Sequence, residues 1–180
     1  MKKLVFLSII YFLFTSCSNE KNESIQQIIA VCHIKSVNGS AVNGNAKFIQ
    51  KNEEVTLNID VKGLSYGLHA FHIHEFGDCS SFDAKSAGGH WNPNNNRHGK
   101  WGTESHHKGD IANLFADSLG NSSLKFETDL WCLDCNDKSK NILNKSLIIH
   151  QDADDFHSQP SGNAGKRIGC GIIKLIVNLK

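Results

Sequence analysis

Eight short runs of β-branched or alternating apolar residues follow one another along the chain, and no stretch between them has the spacing of an amphipathic helix. These runs are residues 28–37, 46–50, 55–61, 69–74, 110–116, 123–128, 146–150 and 169–177. The turn-forming groups between them are Asn38-Gly39, Asn43-Gly44, Lys62-Gly63 and Leu119-Gly120-Asn121. This pattern predicts an all-β sandwich or flattened barrel.

Two segments, residues 75–109 and 151–168, are too long to be tight turns. Long ordered loops in a small β domain usually carry function. The sequence has no internal repeat, and its 180 residues leave room for one domain after a leader is removed. We therefore expect a single domain over residues 27–180, with two long functional loops.

Residues 1–16 have the form of an export signal: Met1-Lys2-Lys3 is basic, and the apolar residues 4–14 are too few to span a bilayer. Phe14-Thr15-Ser16-Cys17 resembles the lipobox of bacterial lipoproteins, in which the cysteine is lipidated, although Phe14 stands where Leu is usual. The alternative is an ordinary cleaved signal with Cys17 incidental. Residues 17–26 then form a polar, flexible tether. Both alternatives predict export, and lipidation predicts anchoring to a bacterial envelope membrane, in the periplasm or at the outer membrane.

Charge and histidine content narrow the class of function. Removing residues 1–16 takes away Lys2 and Lys3 and leaves 17 basic against 18 acidic side chains, a net charge of −1. A nucleic-acid binder normally carries a basic excess, so nucleic acid is not an expected partner. Ten histidines in 180 residues point instead to a metal centre.

The strongest metal signal is the strand Phe71-His72-Ile73-His74. Residues two apart in a strand face the same side about 7 Å apart, so the two imidazoles point together while Phe71 and Ile73 point into the core. A lone pair of strand histidines is more often structural. Further candidate ligands are His90, His98, His107, Asp110 and His150. Six histidines and a carboxylate favour a metal centre.

Five separated segments are similar, in order, to the signature blocks of copper/zinc superoxide dismutases of the bacterial exported branch. They are GLHAFHIHEFGDCS, SAGGHWNPNNNRHG, HHKGD, LIIHQDADD and GNAGKRIGCGII, which together span residues 67–173. The resemblance implies an eight-stranded Greek-key β-sandwich or flattened barrel. It also implies an enzyme, monomeric or homodimeric, that converts superoxide to dioxygen and hydrogen peroxide by alternate reduction and reoxidation of copper beside a structural zinc.

The resemblance also implies the ligands of both metals. The copper ligands would be His72, His74, His90 and His150. The zinc ligands would be His90, His98, His107 and Asp110, with His90 bridging the metals and carrying a proton in catalysis. Four imidazoles suit Cu(II), and three nitrogens with one carboxylate suit Zn(II).

Other positions have implied supporting roles. Asp154 matches a carboxylate that hydrogen-bonds one copper-ligand and one zinc-ligand histidine, here His72 and His98. Arg167 matches the arginine that guides the superoxide anion to copper, and Lys108 and Lys166 are weaker candidates for the same positive field. His69 resembles a buried structural histidine of the family. His106 adjoins His107, but the following Lys-Gly-Asp favours His107 as the ligand.

The cysteines divide into three groups. Cys79 and Cys170 match the intrasubunit disulfide of the family. Cys132 and Cys135 depart from its common pattern; we favour a local disulfide over a copper-acquisition site or a redox pair. Cys32 lies within a predicted strand and is expected to be a buried free thiol.

Two other functions compete with the dismutase. An exported copper-binding or copper-delivery protein could use the same fold, but such relatives typically lack copper ligands or the arginine, and all are present here. An adhesion domain on an immunoglobulin-like sandwich would leave the histidine spacing unexplained. The sequence therefore favours the enzyme.

Overall fold

The computed structural model describes residues 27–176, so the predicted signal, the Cys17 lipidation site and the tether lie outside the described residues. The strands are β1 (Ile28–Ser36), β2 (Asn43–Lys51), β3 (Glu54–Lys62), β4 (Gly67–His74), β5 (Asp110–Ala116), β6 (Ser122–Thr128), β7 (Ser146–His150), β8 (Arg167–Ile172) and β9 (Lys174–Leu175). One 3₁₀ turn, Lys85–Ala87, is the only helical element in this range. No helix between residues 27 and 176 is long and apolar enough to cross a membrane.

The strands form one antiparallel sheet in the order β5-β4-β7-β8-β1-β2-β3-β6, and β9 pairs with β1 beyond the end of β8. The edge strands β5 and β6 lie against one another, so the sheet curls into a nearly closed, flattened barrel. Neither β3 and β4 nor β6 and β7 are neighbours, and these two crossovers give the Greek-key connection. The predicted eight-stranded all-β fold is confirmed.

Alternation along the strands builds the core. On β3, Val55, Leu57, Ile59 and Val61 are buried while the residues between them face outwards. On β4, Phe71 and Ile73 are fully buried, as predicted, and pack with the core residues of β7. All five residues of β7 are buried, so its last residue, His150, lies next to the core.

Two predicted boundaries are wrong. Asn43 and Gly44 do not form a turn but lie in β2, where a Cβ at Gly44 would overlap the Asp60 carbonyl oxygen of β3. Glycine is needed there for close approach of two strands. The last strand is broken at Ile173, because its N–H and C=O pair with Lys145 and Asn144 of the preceding loop rather than with β1.

The described cysteines form two disulfides and one free thiol. Cys79–Cys170 ties the 75–109 loop to β8 across 91 residues of sequence, and Cys132–Cys135 closes a short loop between β6 and β7. Cys32 on β1 is fully buried and unpaired, and burial raises the pKa of its thiol to about 12.

Candidate metal centre

Four segments, β4, β5, β7 and the 75–109 loop, bring the candidate ligands together. Bulges lie in β5 and β8, the strands that pair with β4 and β7: the extra residues are Ile111, opposite the Phe71–His72 step, and Ile168, opposite the Ile149–His150 step. A bulge re-aims the side chains beside it, here Asp110 and Arg167. The 75–109 loop returns beside β4, where His90 forms a bridge with His74. Gly109 closes the loop: its carbonyl accepts the Ile73 N–H at 2.9 Å.

The ligand atoms form two groups that share His90. One group is His72, His74, His90 and His150, and the other is His90, His98, His107 and Asp110. Within each group every residue offers a ligand atom within 4.8 Å of the others. The His72 and His90 rings stand 4.0 Å apart, and the side chains of both are almost completely buried, at 0% and 4% exposure.

Hydrogen bonds to one ring nitrogen leave the other nitrogen of several histidines without a partner. Nε2 of His72 donates to Asp154 at 2.8 Å, and Nδ1 of His74 donates to the Gly88 carbonyl at 2.9 Å. Within residues 27–176, seven buried side-chain polar atoms have no hydrogen-bond partner, and six of them are imidazole nitrogens of this cluster. They belong to His72, His74, His90, His98 and His150. Unpaired buried polar atoms cost free energy, so this cluster fits metal cations.

Asp110 contacts all three histidines of the second ligand group. Its Oδ1 accepts from His90 Nδ1 at 2.8 Å and from His107 Nδ1 at 3.1 Å. Its Oδ2 accepts the His107 backbone N–H at 2.8 Å, and it lies 2.9 Å from His98 Nδ1 outside hydrogen-bond geometry. Burial alone would raise the pKa of Asp110, but the three histidines close to its carboxylate, His107, His90 and His98, outweigh burial and hold the pKa far below its ordinary range.

The surroundings of His74, His90 and His150 favour the neutral imidazole, whereas those of His98 favour a positive charge. Burial and neighbouring histidines lower the pKa of His74 and His150 well below normal, and that of His90 to about 4. Burial also disfavours charge on His98, yet Asp110 and Asp154 raise its pKa to about 9. Carboxylates that stabilise a proton at His98 would equally stabilise a metal cation.

Asp154 lies between the two groups. Its Oδ1 accepts from His98 Nε2 at 2.9 Å, while Oδ2 accepts from His72. Asn113 on β5 holds the aspartate backbone, because its amide accepts the Asp154 N–H at 2.8 Å and donates to the Asp154 carbonyl at 3.0 Å. Gly162 must lack a side chain, since it has φ +65° and an added Cβ would overlap Asp154 Oδ1.

Sequence reasoning missed two residues that hold this centre. Asn113 was detectable only as a polar residue inside the apolar run of β5. Gln159 carried no signal; its Oε1 accepts the His98 N–H and its Nε2 donates to the His98 carbonyl, both at 2.9 Å. These two bonds join the 151–168 loop to the 75–109 loop.

Arg167 lines an open cavity of about 370 Å³ together with His74, His90 and His150. Its guanidinium donates to the carbonyls of Ala84 at 2.6 Å and Gly88 at 2.7 Å. Arginine has five N–H donors, so these two bonds orient the group and leave further donors for an anion.

The other candidate residues lie apart from this cavity. Nζ of Lys108 donates to the Ser139 carbonyl at 2.7 Å, and neither this lysine nor Lys166 is among the described residues lining the cavity. His106 packs against Trp101 and is outside both ligand groups. His69 bonds the carbonyls of Ser65 and His150.

The nearly closed β-barrel holds two groups of possible metal ligands that share one histidine. One group has four imidazoles, which suit copper, and the other has three imidazoles and one carboxylate, which suit zinc. The fold and the site therefore define a two-metal β-barrel protein. The family model of copper/zinc superoxide dismutase (SODC) matches residues 42–173. The chain belongs to the copper/zinc superoxide dismutase family. The predicted family, its enzymatic activity and its copper and zinc cofactors are confirmed.

Curated relatives agree with this membership. Superoxide dismutase [Cu-Zn] 2 of Aquifex aeolicus is 41% identical over 138 residues, covering 74% of this chain and 80% of the relative. Superoxide dismutase [Cu-Zn] 1 of the same organism is 40% identical over 73% of this chain and 79% of its own length. The extracellular superoxide dismutase [Cu-Zn] of Brugia pahangi is 32% identical over 95% of this chain and 96% of its own length.

Proposed function

We propose that the two ligand groups of this superoxide dismutase hold copper and zinc side by side. Copper would be held by His72, His74, His90 and His150, and zinc by His90, His98, His107 and Asp110. The observation that carries this assignment is the set of six unpaired, buried imidazole nitrogens in one cluster. When bound, copper supplies the one-electron reduction and reoxidation that disproportionates superoxide, and zinc supplies charge without redox chemistry.

His90 is the proposed proton carrier. It is the residue common to both groups, and its ring lines the cavity. Nδ1 of His90 faces Asp110 at 2.8 Å, whereas Nε2 has no hydrogen-bond partner. Nε2 is therefore the atom that can take up a proton and release it towards a reduced substrate in the cavity.

Arg167 is the proposed binding residue for the superoxide anion. Two carbonyls orient its guanidinium before substrate arrives, so little side-chain entropy is lost on binding. The Gly88 carbonyl accepts hydrogen bonds from both Arg167 and His74. This shared acceptor fixes the position of the Arg167 guanidinium relative to His74, a proposed copper ligand. A permanent cation in a half-open cavity also raises the association rate of a small anion.

The proposal is tested by measuring superoxide consumption by the full chain loaded with copper and zinc. We expect fast dismutation in the parent protein and in His33→Ala, since His33 is an exposed histidine that is bonded to Asn45 and belongs to neither ligand group. His74→Ala should lose activity together with bound copper, whereas Arg167→Ala should lose rate while copper stays bound. Stoichiometric copper binding without dismutation above that of free copper would refute the proposal and favour a copper-delivery protein.

We also propose that the protein is exported and lipid-anchored, with residues 1–16 as signal, Cys17 as lipidation site, residues 17–26 as tether and residues 27–180 as the enzyme domain. Supporting this are the form of the N-terminal sequence and the two disulfides, which persist in oxidising compartments. Mass spectrometry of the membrane fraction should find a diacylated Cys17. A soluble product cleaved elsewhere would refute lipid anchoring. The oligomeric state is tested separately, by sedimentation of the purified protein, which distinguishes a monomer from a homodimer.

A further inference from the structure

The 129–144 segment, which contains the Cys132–Cys135 disulfide, packs into the barrel as a folded unit. Trp131, Leu133 and Ile142 are all buried to within 1% of complete burial. The Cys132 N–H donates to the Lys140 carbonyl at 2.9 Å, and the Cys132 carbonyl accepts the Ile142 N–H at 3.1 Å. The disulfide closes the short loop 132–135, and backbone hydrogen bonds join Cys132, the first residue of that loop, to the arm at Lys140 and Ile142.

This segment binds Lys108 from two sides. The indole Nε1 of Trp131 donates to the Lys108 carbonyl at 2.8 Å, and Lys108 Nζ donates to the Ser139 carbonyl at 2.7 Å. Lys108 directly follows His107 and lies two residues before Asp110. The 129–144 segment thus contacts Lys108, which lies between two proposed zinc ligands in sequence. The proposed copper ligands His72, His74 and His150 belong to β4 and β7 instead.

We propose that the 129–144 segment positions the zinc ligands His107 and Asp110 by holding Lys108, so that Trp131 and Lys108 set the affinity for zinc rather than for copper. This inference rests on the zinc assignment made above. Both residues act through their neighbours in sequence and are positioning residues. The backbone hydrogen bonds from Cys132 to Lys140 and Ile142 serve the same end, because they hold the arm that carries Trp131 against the arm that carries Ser139.

The experiment measures zinc and copper affinities separately, by competition with a chromogenic chelator, on the full chain. Trp131→Phe removes the indole donor and keeps an aromatic ring; Lys108→Met removes the ammonium and keeps the apolar stem. Losing one hydrogen bond should weaken zinc binding about 2- to 10-fold in each variant and leave copper binding unchanged. Trp101→Phe is the matched control: its ring centroid lies 5.5 Å from that of Trp131, but its indole N–H makes no hydrogen bond to any described residue.

A spectroscopic readout separates positioning from general loss of stability. Co(II) bound in place of zinc has visible absorption bands that report ligand geometry, and we expect them to shift in Trp131→Phe and Lys108→Met but not in Trp101→Phe. Unchanged zinc affinity and cobalt spectra in both variants would overturn the inference, as would equal weakening of copper and zinc. Asp110→Ala tests the zinc assignment separately. If it leaves zinc affinity intact, the zinc assignment is wrong and the inference falls with it; if it abolishes zinc binding while Trp131→Phe and Lys108→Met change nothing, the inference alone is wrong.

Discussion

Replacing Asp154 with asparagine should weaken copper binding more than zinc binding, for a reason that lies in its hydrogen bonds. Oδ1 of Asp154 accepts from two donors, His98 Nε2 at 2.9 Å and the Phe156 N–H at 2.7 Å. Oδ2 accepts from one donor, His72 Nε2 at 2.8 Å. An asparagine keeps the volume but retains only one oxygen. The amide oxygen should occupy the Oδ1 position, where it keeps two bonds, and the NH₂ group then faces His72.

Two donors facing each other are repulsive, so His72 has to give up its present tautomer or turn its ring. Either change removes Nδ1, the unpaired nitrogen of His72, as a ligand atom. Loss of a carboxylate that orients a metal-binding histidine typically costs about 10- to 100-fold in affinity. This corresponds to about 1.4–2.7 kcal/mol at the copper site. Zinc should lose less, because His98 keeps its acceptor.

Chelator competition on Asp154→Asn, with Cu(II) and zinc titrated separately, measures both affinities. Asp155→Asn is the matched control: that carboxylate is exposed and bonds Ser158 rather than a proposed ligand. Asp154→Ala should weaken both metals, since it removes both acceptors. Equal losses for the two metals in Asp154→Asn, or a larger loss for zinc, would refute the argument from hydrogen-bond count.

Three further outcomes are expected. Arg167→Gln should slow superoxide dismutation on the order of tenfold or more and flatten its dependence on ionic strength, measured by stopped flow; an unchanged salt dependence would contradict the guiding role. Replacing Cys79 and Cys170 with alanine should lower the free energy of unfolding by up to about 4–5 kcal/mol, because the disulfide spans 91 residues of sequence. Urea titrations measure this loss, and a loss near zero would exclude a stabilising cross-link. Because burial raises the pKa of Cys32 to about 12, iodoacetamide should not modify this thiol at neutral pH unless denaturant is added; peptide mass spectrometry showing rapid native-state labelling would contradict its burial.

The strands were predictable because burial in a barrel imposes a two-residue period that is written in the chain, as on β3. Their ends were less predictable. Asn43-Gly44 has the composition of a turn, but whether glycine serves a turn or a close strand contact depends on what lies opposite, here Asp60 on β3. The break at Ile173 likewise depends on a competing partner, the loop at Asn144 and Lys145.

The candidate ligands could be chosen from the sequence because their side-chain chemistry is local: an imidazole remains a ligand wherever the fold places it. The residues that hold them could not. Gln159 and Trp131 are an ordinary amide and an ordinary core aromatic in sequence, and only the folded chain puts them against His98 and Lys108. Lys108 shows the same limit, since its sequence position suggested a role near the anion and the structure joins it to Ser139.

The sequence alone therefore determined the fold class, the family and the set of candidate metal ligands, because periodicity, composition and motif spacing are properties of the linear chain. The tertiary structure decided which nitrogen of each histidine is free, which carboxylate lies between the two groups, and which surface the Cys132–Cys135 loop supports. Those features depend on distances of a few ångströms between residues far apart in sequence, and such contacts exist only after loop closure and packing have fixed both partners.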